Sequence, residues 1–180
     1  MNLPNKLTVM RMILIPFVMF FYLATFIPGG KIVAIVLFVI AAFTDFLDGK
    51  IARSQNLVTD FGKFLDPIAD KLLVAAALIC LVELQRIPAY MVIIIIAREF
   101  IVTGLRIVAI SNGVVMAAEM TGKIKTVIQI IATVISILFS DIMIGPISLG
   151  YIAMLIATLF TIYSGYVYLA KNWEMVINSK

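Results

Sequence analysis

KIVAIVLFVIAAFTDFLDGKIARSQNLVTDFGKFLDPIAD, residues 31–70, decides what kind of fold this chain can adopt. No side chain from Ile32 to Thr44 is charged, and then Asp45 and Asp48 arrive three residues apart. After a short polar connection, Asp66 and Asp70 open the next apolar run four residues apart. A membrane helix needs about 20 mostly apolar residues, and windows 31–51 and 64–85 both meet that requirement. Spacings of three and four place each aspartate pair on one helix face. The stretch therefore reads as two successive membrane helices with carboxylates at their facing ends.

The same criterion applied outward finds four more spans, over 9–27, 88–110, 121–140 and 148–170. Pro28-Gly29-Gly30 breaks between the first two, Arg86-Ile87-Pro88 separates the third from the fourth, and Ser111-Asn112-Gly113 closes the fourth. Asp141 to Pro146 turns between the last two. Composition agrees: 63% of the 180 residues are apolar and only 13% charged, with a mean hydropathy of +1.15, far from a soluble globular chain. The expected architecture is an all-α integral membrane protein of six transmembrane helices in a single domain, 1–180. Residues 2–8 are expected to form a helix start or a short N-terminal interfacial helix.

Basic residues set the expected orientation. Lys6 and Arg11 lie before or within the first span, Lys50, Arg53 and Lys63 in the second connection, Lys123 and Lys125 in the fourth, and Lys171 and Lys180 in the tail. The alternate connections hold only Lys31 and Arg86. Both termini and the aspartate ends are therefore expected on the cytoplasmic side of the cell membrane. The first span follows a basic segment as a signal peptide would, but no convincing small-residue cleavage site follows it, and it is expected to be retained.

Composition also excludes function classes. There is no His, which removes the commonest general base and transition-metal ligand. The single Cys80 lies in an apolar run, so neither a disulfide framework nor a thiolate cluster is expected. The net charge of +4 is spread over span ends without a basic stripe, so no nucleic-acid partner is expected. Chemistry must come from carboxylates, Lys, Arg and hydroxyls.

Charges at the ends of membrane helices are costly and usually functional. Any one aspartate reads equally well as a water-contacting helix end. Four at helical spacing on successive helices do not, because ionised carboxylates crowded together repel unless cations neutralise them. An oxygen-only donor set favours two hard divalent ions, Mg²⁺ or Mn²⁺, an arrangement suited to displacement at phosphorus. Gly49 and Gly62 permit close approach of a ligand or another helix. Ala52 is small, and Arg53 offers a planar donor for a phosphate oxygen.

Together these residues run Asp45-x-x-Asp48-Gly49-x-x-Ala52-Arg53, eight residues, then Gly62-x-x-x-Asp66-x-x-x-Asp70. That pattern resembles the signature of the CDP-alcohol phosphatidyltransferase family, and the resemblance extends over essentially the whole chain. It implies that Asp45, Asp48 and Asp66 are metal ligands, and that Asp70 completes the second ion's shell or acts as general base. It further implies that Gly49, Ala52, Arg53 and Gly62 receive the cytidine diphosphate group. Pro4-Asn5-x-x-Thr8-x-x-Arg11 is similar to the segment before the first span in many members. On that basis Asn5 and Thr8 line the nucleotide side, a role that stands beside a plain helix cap and interfacial anchor. A homodimer is also implied.

The acceptor alcohol must be read elsewhere. Arg98 and Glu99 interrupt the fourth span, Arg106 follows eight residues later, and Gly122-Lys123-Ile124-Lys125-Thr126 opens the fifth. Eight residues on a helix project within roughly 80° of each other. Arg98, Arg106, Lys123 and Lys125 are thus candidates to hold a phosphate-bearing acceptor, against snorkelling lysines and a structural Arg98–Glu99 contact. The combination resembles the family branch that joins CDP-diacylglycerol to glycerol 3-phosphate. Branches using inositol phosphate or phosphatidylglycerol are the nearest alternatives, and the dense cations argue against serine. From another class, a small cation or solute transporter would place charges near the midplane and often repeat its halves. Here the charges lie at one end and no repeat is found. A purely structural scaffold would not require four aligned aspartates.

Overall fold

A computed structural model describes residues 3–54, 60–111 and 119–173, with side chains for 5–44, 68–69, 71–109 and 119–173. Among the described residues there are six helices, one for each apolar run: α1 (Leu3–Leu23), α2 (Gly30–Ser54), α3 (Asp60–Glu83), α4 (Ala89–Ser111), α5 (Met120–Leu138) and α6 (Leu149–Lys171). A two-stranded antiparallel hairpin, β1 (Met143–Ile144) and β2 (Ile147–Ser148), lies between α5 and α6. The chain forms two compact units, residues 1–84 and 85–180.

In the first unit α1 packs against both α2 and α3. Ile15, Val18 and Tyr22 from α1, Phe38 from α2, and Leu73 and Leu81 from α3 are buried. Phe17, Phe20, Ile32 and Phe43 remain exposed on the same helices, as expected where the solvent is lipid rather than water. Residues 3–8 are the first turns of α1, continuous with the span and not a separate interfacial helix. The break at Pro28-Gly29-Gly30 has a steric basis. Gly29 takes φ +79°, a region that L side chains disfavour, and a Cβ on Gly30 would lie 2.8 Å from the Phe21 carbonyl oxygen.

The second unit is inside-out by the standards of a soluble protein. The buried stripe of α5 contains Lys125, Gln129, Thr133 and Ser136, and that of α6 contains Thr158, Thr161 and Ser164. Ile124, Val127, Ile131, Ile156, Leu159 and Ile162 face outward. In hydrocarbon, where aliphatic contact gives little net drive, small and polar residues make the helix interface. Buried hydroxyls are satisfied locally: Thr133, Thr158 and Thr161 each donate to the carbonyl four residues back, at 2.8, 2.8 and 2.7 Å. Ser136 instead donates across the interface to the Gly150 carbonyl at 2.9 Å.

Gly150 is where α5 and α6 come closest, since a Cβ there would lie 2.9 Å from Ser136 Cα. A side chain can be accommodated only by moving one helix backbone. Gly150→Val is expected to cost about 1–3 kcal/mol by overpacking, lowering the thermal midpoint in detergent by about 5 °C. An unchanged midpoint would mean that this contact contributes nothing.

The turn expected over 141–146 is present and is tighter than a plain loop. Met143 pairs with Ser148 and Ile144 with Ile147, closed by Gly145 at φ +64° and Pro146. Gly at the first central position is the residue a primed hairpin turn requires. Ser148 then caps α6, accepting from the Tyr151 N–H at 3.1 Å. The exposed Arg86 and Asp141 side chains pair at 2.6 Å between the two loops at this end of the unit.

Three helices among the described residues, Asn5–Leu23, Met120–Leu138 and Leu149–Lys171, are long and apolar enough to cross a membrane. The chain is a multi-pass membrane protein. The described apolar part of α2 is shorter, Gly30–Thr44, and α4 carries Arg98, Glu99 and Arg106 within its length.

Candidate functional site

Arg98 and Glu99 sit in the middle of the largely apolar helix α4, and so depart from the expectation that the charges lie at one end. Neighbouring positions on a helix point in different directions, yet the long arm of Arg98 turns back so that Nη1 donates to Glu99 Oε1 at 3.1 Å. Its Nη2 donates to Ser164 Oγ on α6 at 2.9 Å. Glu99 Oε1 also accepts from Lys125 Nζ on α5 at 2.5 Å. All three helices of the second unit thus contribute to one polar cluster. Lys125 is almost wholly enclosed, its side chain 3% exposed, while Arg98 and Glu99 are largely enclosed.

Two glycines shape the slot around Arg98. A Cβ on Gly165 would lie 3.1 Å from Arg98 Cγ, and one on Gly122 would lie 3.7 Å from Nη2. Two guanidinium N–H groups, Arg98 Nε and Arg106 Nε, are buried with no hydrogen-bond partner among the described residues. A buried donor left unmade is costly, so such groups mark where a ligand acceptor would be welcome. Lys123 is exposed. The four cations read from the sequence therefore differ: Lys125 is engaged with Glu99, Arg98 is anchored with one edge left over, Arg106 is half-buried, and Lys123 faces outward.

In the first unit, Asn5, Thr8 and Arg11 recur every three residues on one face of α1, and all three are buried. Arg11 Nε donates to the Ala41 carbonyl of α2 at 3.2 Å, and Thr44 Oγ1 donates to the same oxygen at 2.8 Å. Ala41 lies one helical turn before Asp45, so the polar face of α1 is fastened to α2 beside the first aspartate position.

The backbone of α2 is helical through positions 45 and 48, that of α3 through 66 and 70, and the two helices are neighbours. The spacings of three and four are therefore true helix-face spacings. The side chains of Asp45, Asp48, Asp66 and Asp70, with Gly49, Ala52, Arg53 and Gly62, lie outside the described residues. As a donor set the four aspartates fit divalent ions: they offer carboxylate oxygens alone, in a chain without His. Ser164 and Gly165 were not singled out by sequence reasoning. Their only sequence signal is a small polar residue beside a glycine inside an apolar run.

Carboxylate positions on neighbouring helices of the first unit, and separately a buried cation cluster in the second, are of the kinds that a membrane enzyme of phosphate-ester chemistry uses. A model of the CDP-alcohol phosphatidyltransferase family matches residues 1–163, and the chain belongs to that family. It is 49% identical to a CDP-diacylglycerol–glycerol-3-phosphate 3-phosphatidyltransferase of Bacillus subtilis, over 99% of this chain and 98% of the relative. It is 42% identical to the protein of the same name from Rickettsia bellii, over 93% of both.

Proposed function

We propose that this phosphatidyltransferase moves the phosphatidyl group of CDP-diacylglycerol onto glycerol 3-phosphate, giving phosphatidylglycerol phosphate and CMP. The observation that carries this reading is the full-length similarity to relatives whose names state that reaction. The ordered cation cluster of the second unit supports it, because this acceptor brings a phosphate of its own.

In this reading Asp45, Asp48, Asp66 and Asp70 hold two divalent ions, Mg²⁺ or Mn²⁺. Such ions, when bound, would supply charge neutralisation for the substrate diphosphate and for the departing CMP. Asn5, Thr8, Gly49, Ala52, Arg53 and Gly62 form the nucleotide side. Arg98, Arg106, Lys123 and Lys125 supply the positive potential that receives the acceptor phosphate. Asp70 accepts the proton of the acceptor hydroxyl as its oxygen bonds to the lipid-side phosphorus. The bond from that phosphorus to the bridging oxygen breaks, and CMP leaves with the electron pair. The reading also includes six membrane crossings, one domain over 1–180, a homodimer, and termini and active site on the cytoplasmic face of the cell membrane. The alternation of basic residues between connections supports the orientation, and the family resemblance supports the homodimer.

The test uses purified protein in detergent with CDP-diacylglycerol and Mg²⁺ or Mn²⁺, following CMP release. Release is expected to require glycerol 3-phosphate. Release only with inositol phosphate or phosphatidylglycerol would keep the family and replace the acceptor. No release with any acceptor from folded protein would return the transporter reading.

A further inference from the structure

We infer that Glu99, together with Ser164, is the positioning element of the acceptor pocket: it fixes Arg98 so that the Nε edge of the guanidinium meets the acceptor's phosphate. This rests on the acceptor reading above and goes beyond it, because neither residue would touch substrate.

A guanidinium offers five N–H donors in a rigid planar fork. In Arg98 one terminal nitrogen is bonded to Glu99 and the other to Ser164, at 3.1 and 2.9 Å. Two anchors from two different helices fix both the reach and the rotation of the plane. The edge not consumed is the one containing Nε, which is buried and has no partner among the described residues. Gly165 and Gly122 leave the space in which this orientation fits.

Glu99 has a second task. Its Oε1 contacts both Arg98 and Lys125, so it holds two like charges side by side in a site of low dielectric. Without the carboxylate these cations would repel, and an incoming phosphate would draw both of them inward by whatever path their long stems allow. Phosphate would still bind, as strongly as before or more so, since the cluster gains one positive charge. The acceptor's hydroxyl would no longer be held where it reacts. A shift of about 1 Å in a bound reactant is enough to cost about a hundredfold in rate.

The experiment compares wild type with Glu99→Gln, Ser164→Ala and Ser164→Thr. It measures kcat/KM for glycerol 3-phosphate, KM for CDP-diacylglycerol, and the inhibition constant of inorganic phosphate. Glu99→Gln is expected to lower kcat/KM for glycerol 3-phosphate at least tenfold while phosphate inhibits equally well or better. Ser164→Ala, which leaves every charge in place, is expected to lower it about threefold, and Ser164→Thr to restore it. KM for CDP-diacylglycerol is expected to stay within twofold throughout. Should Glu99→Gln not fold, the Ser164 pair decides. Unchanged kcat/KM in folded variants would overturn the inference. So would losses shared equally by both substrates, or phosphate inhibition weakening in step with turnover. Failure of the acceptor reading is seen separately, as wild-type protein that releases no CMP with glycerol 3-phosphate.

Discussion

Asp70→Asn is expected to lower glycerol-3-phosphate-dependent CMP release by about 10²–10⁴-fold, the range a positioned general base contributes, in a protein that keeps its helix content. The substitution removes proton-accepting capacity and one negative charge but keeps the shape and one ligating oxygen. Asp70 lies ten residues into α3, so the helix does not depend on it. The proposed double role can be separated by titrating Mn²⁺ into the variant. A residue that only ligates an ion should be rescued by higher concentration, because weaker binding is overcome by mass action. A base cannot be rescued that way. Near-normal turnover, or full recovery at high Mn²⁺, would remove Asp70 from the proton-transfer step. Asp45→Asn provides the contrast: it should lose activity at low Mn²⁺ and regain part of it at high Mn²⁺.

Much of the fold was legible because lipid imposes a coarse rule. Six apolar runs bounded by Pro, Gly and charge became six helices, with ends such as Gly30, Glu83 and Ser111 within a few residues of expectation. The sharp α1–α2 break was legible for a local reason: a glycine at positive φ beside one that touches the Phe21 carbonyl. The Met143–Ser148 hairpin was not, since two-residue strands have no periodicity to read; only Gly145-Pro146 marks it. At the candidate site, type and spacing identified the cations but could not say what each one meets. Lys125 was read as an acceptor-phosphate residue from type and spacing, and nothing local reveals that its ammonium also meets Glu99, 26 residues earlier. Ser164 was invisible for a related reason. Hydroxyls in membrane helices usually bond back to their own backbone, as Thr158 and Thr161 do, and only the packing of α6 on α4 turns this one toward Arg98. Arg11 could be placed in a polar run, but its fastening to Ala41 depends on how α1 lies against α2.

Stripping divalent ions is expected to abolish CMP release entirely, and adding Mg²⁺ or Mn²⁺ back to restore it with a dependence steeper than first order. The cause is electrostatic. Two ionised carboxylates about 4 Å apart repel by about 4 kcal/mol at the effective dielectric of a partly solvated site. Four of them brought together, as the proposed site requires, would form an arrangement that only cations or protons can relieve. Ion binding should therefore stabilise the protein as well as activate it. At a concentration 100 times the dissociation constant, one site adds about 2.7 kcal/mol, which is visible as a raised thermal midpoint in detergent without any substrate. Asp45→Asn combined with Asp66→Asn should erase most of that shift, because it removes half of the charge that draws the ions in. The same variant should gain stability in chelator, where the remaining carboxylates no longer crowd one another. Full turnover in excess chelator, or a midpoint indifferent to Mn²⁺ in the wild-type protein, would mean that the four aspartates are held apart and neutralised some other way. Either result would break the link between their helical spacing and the chemistry assigned to them.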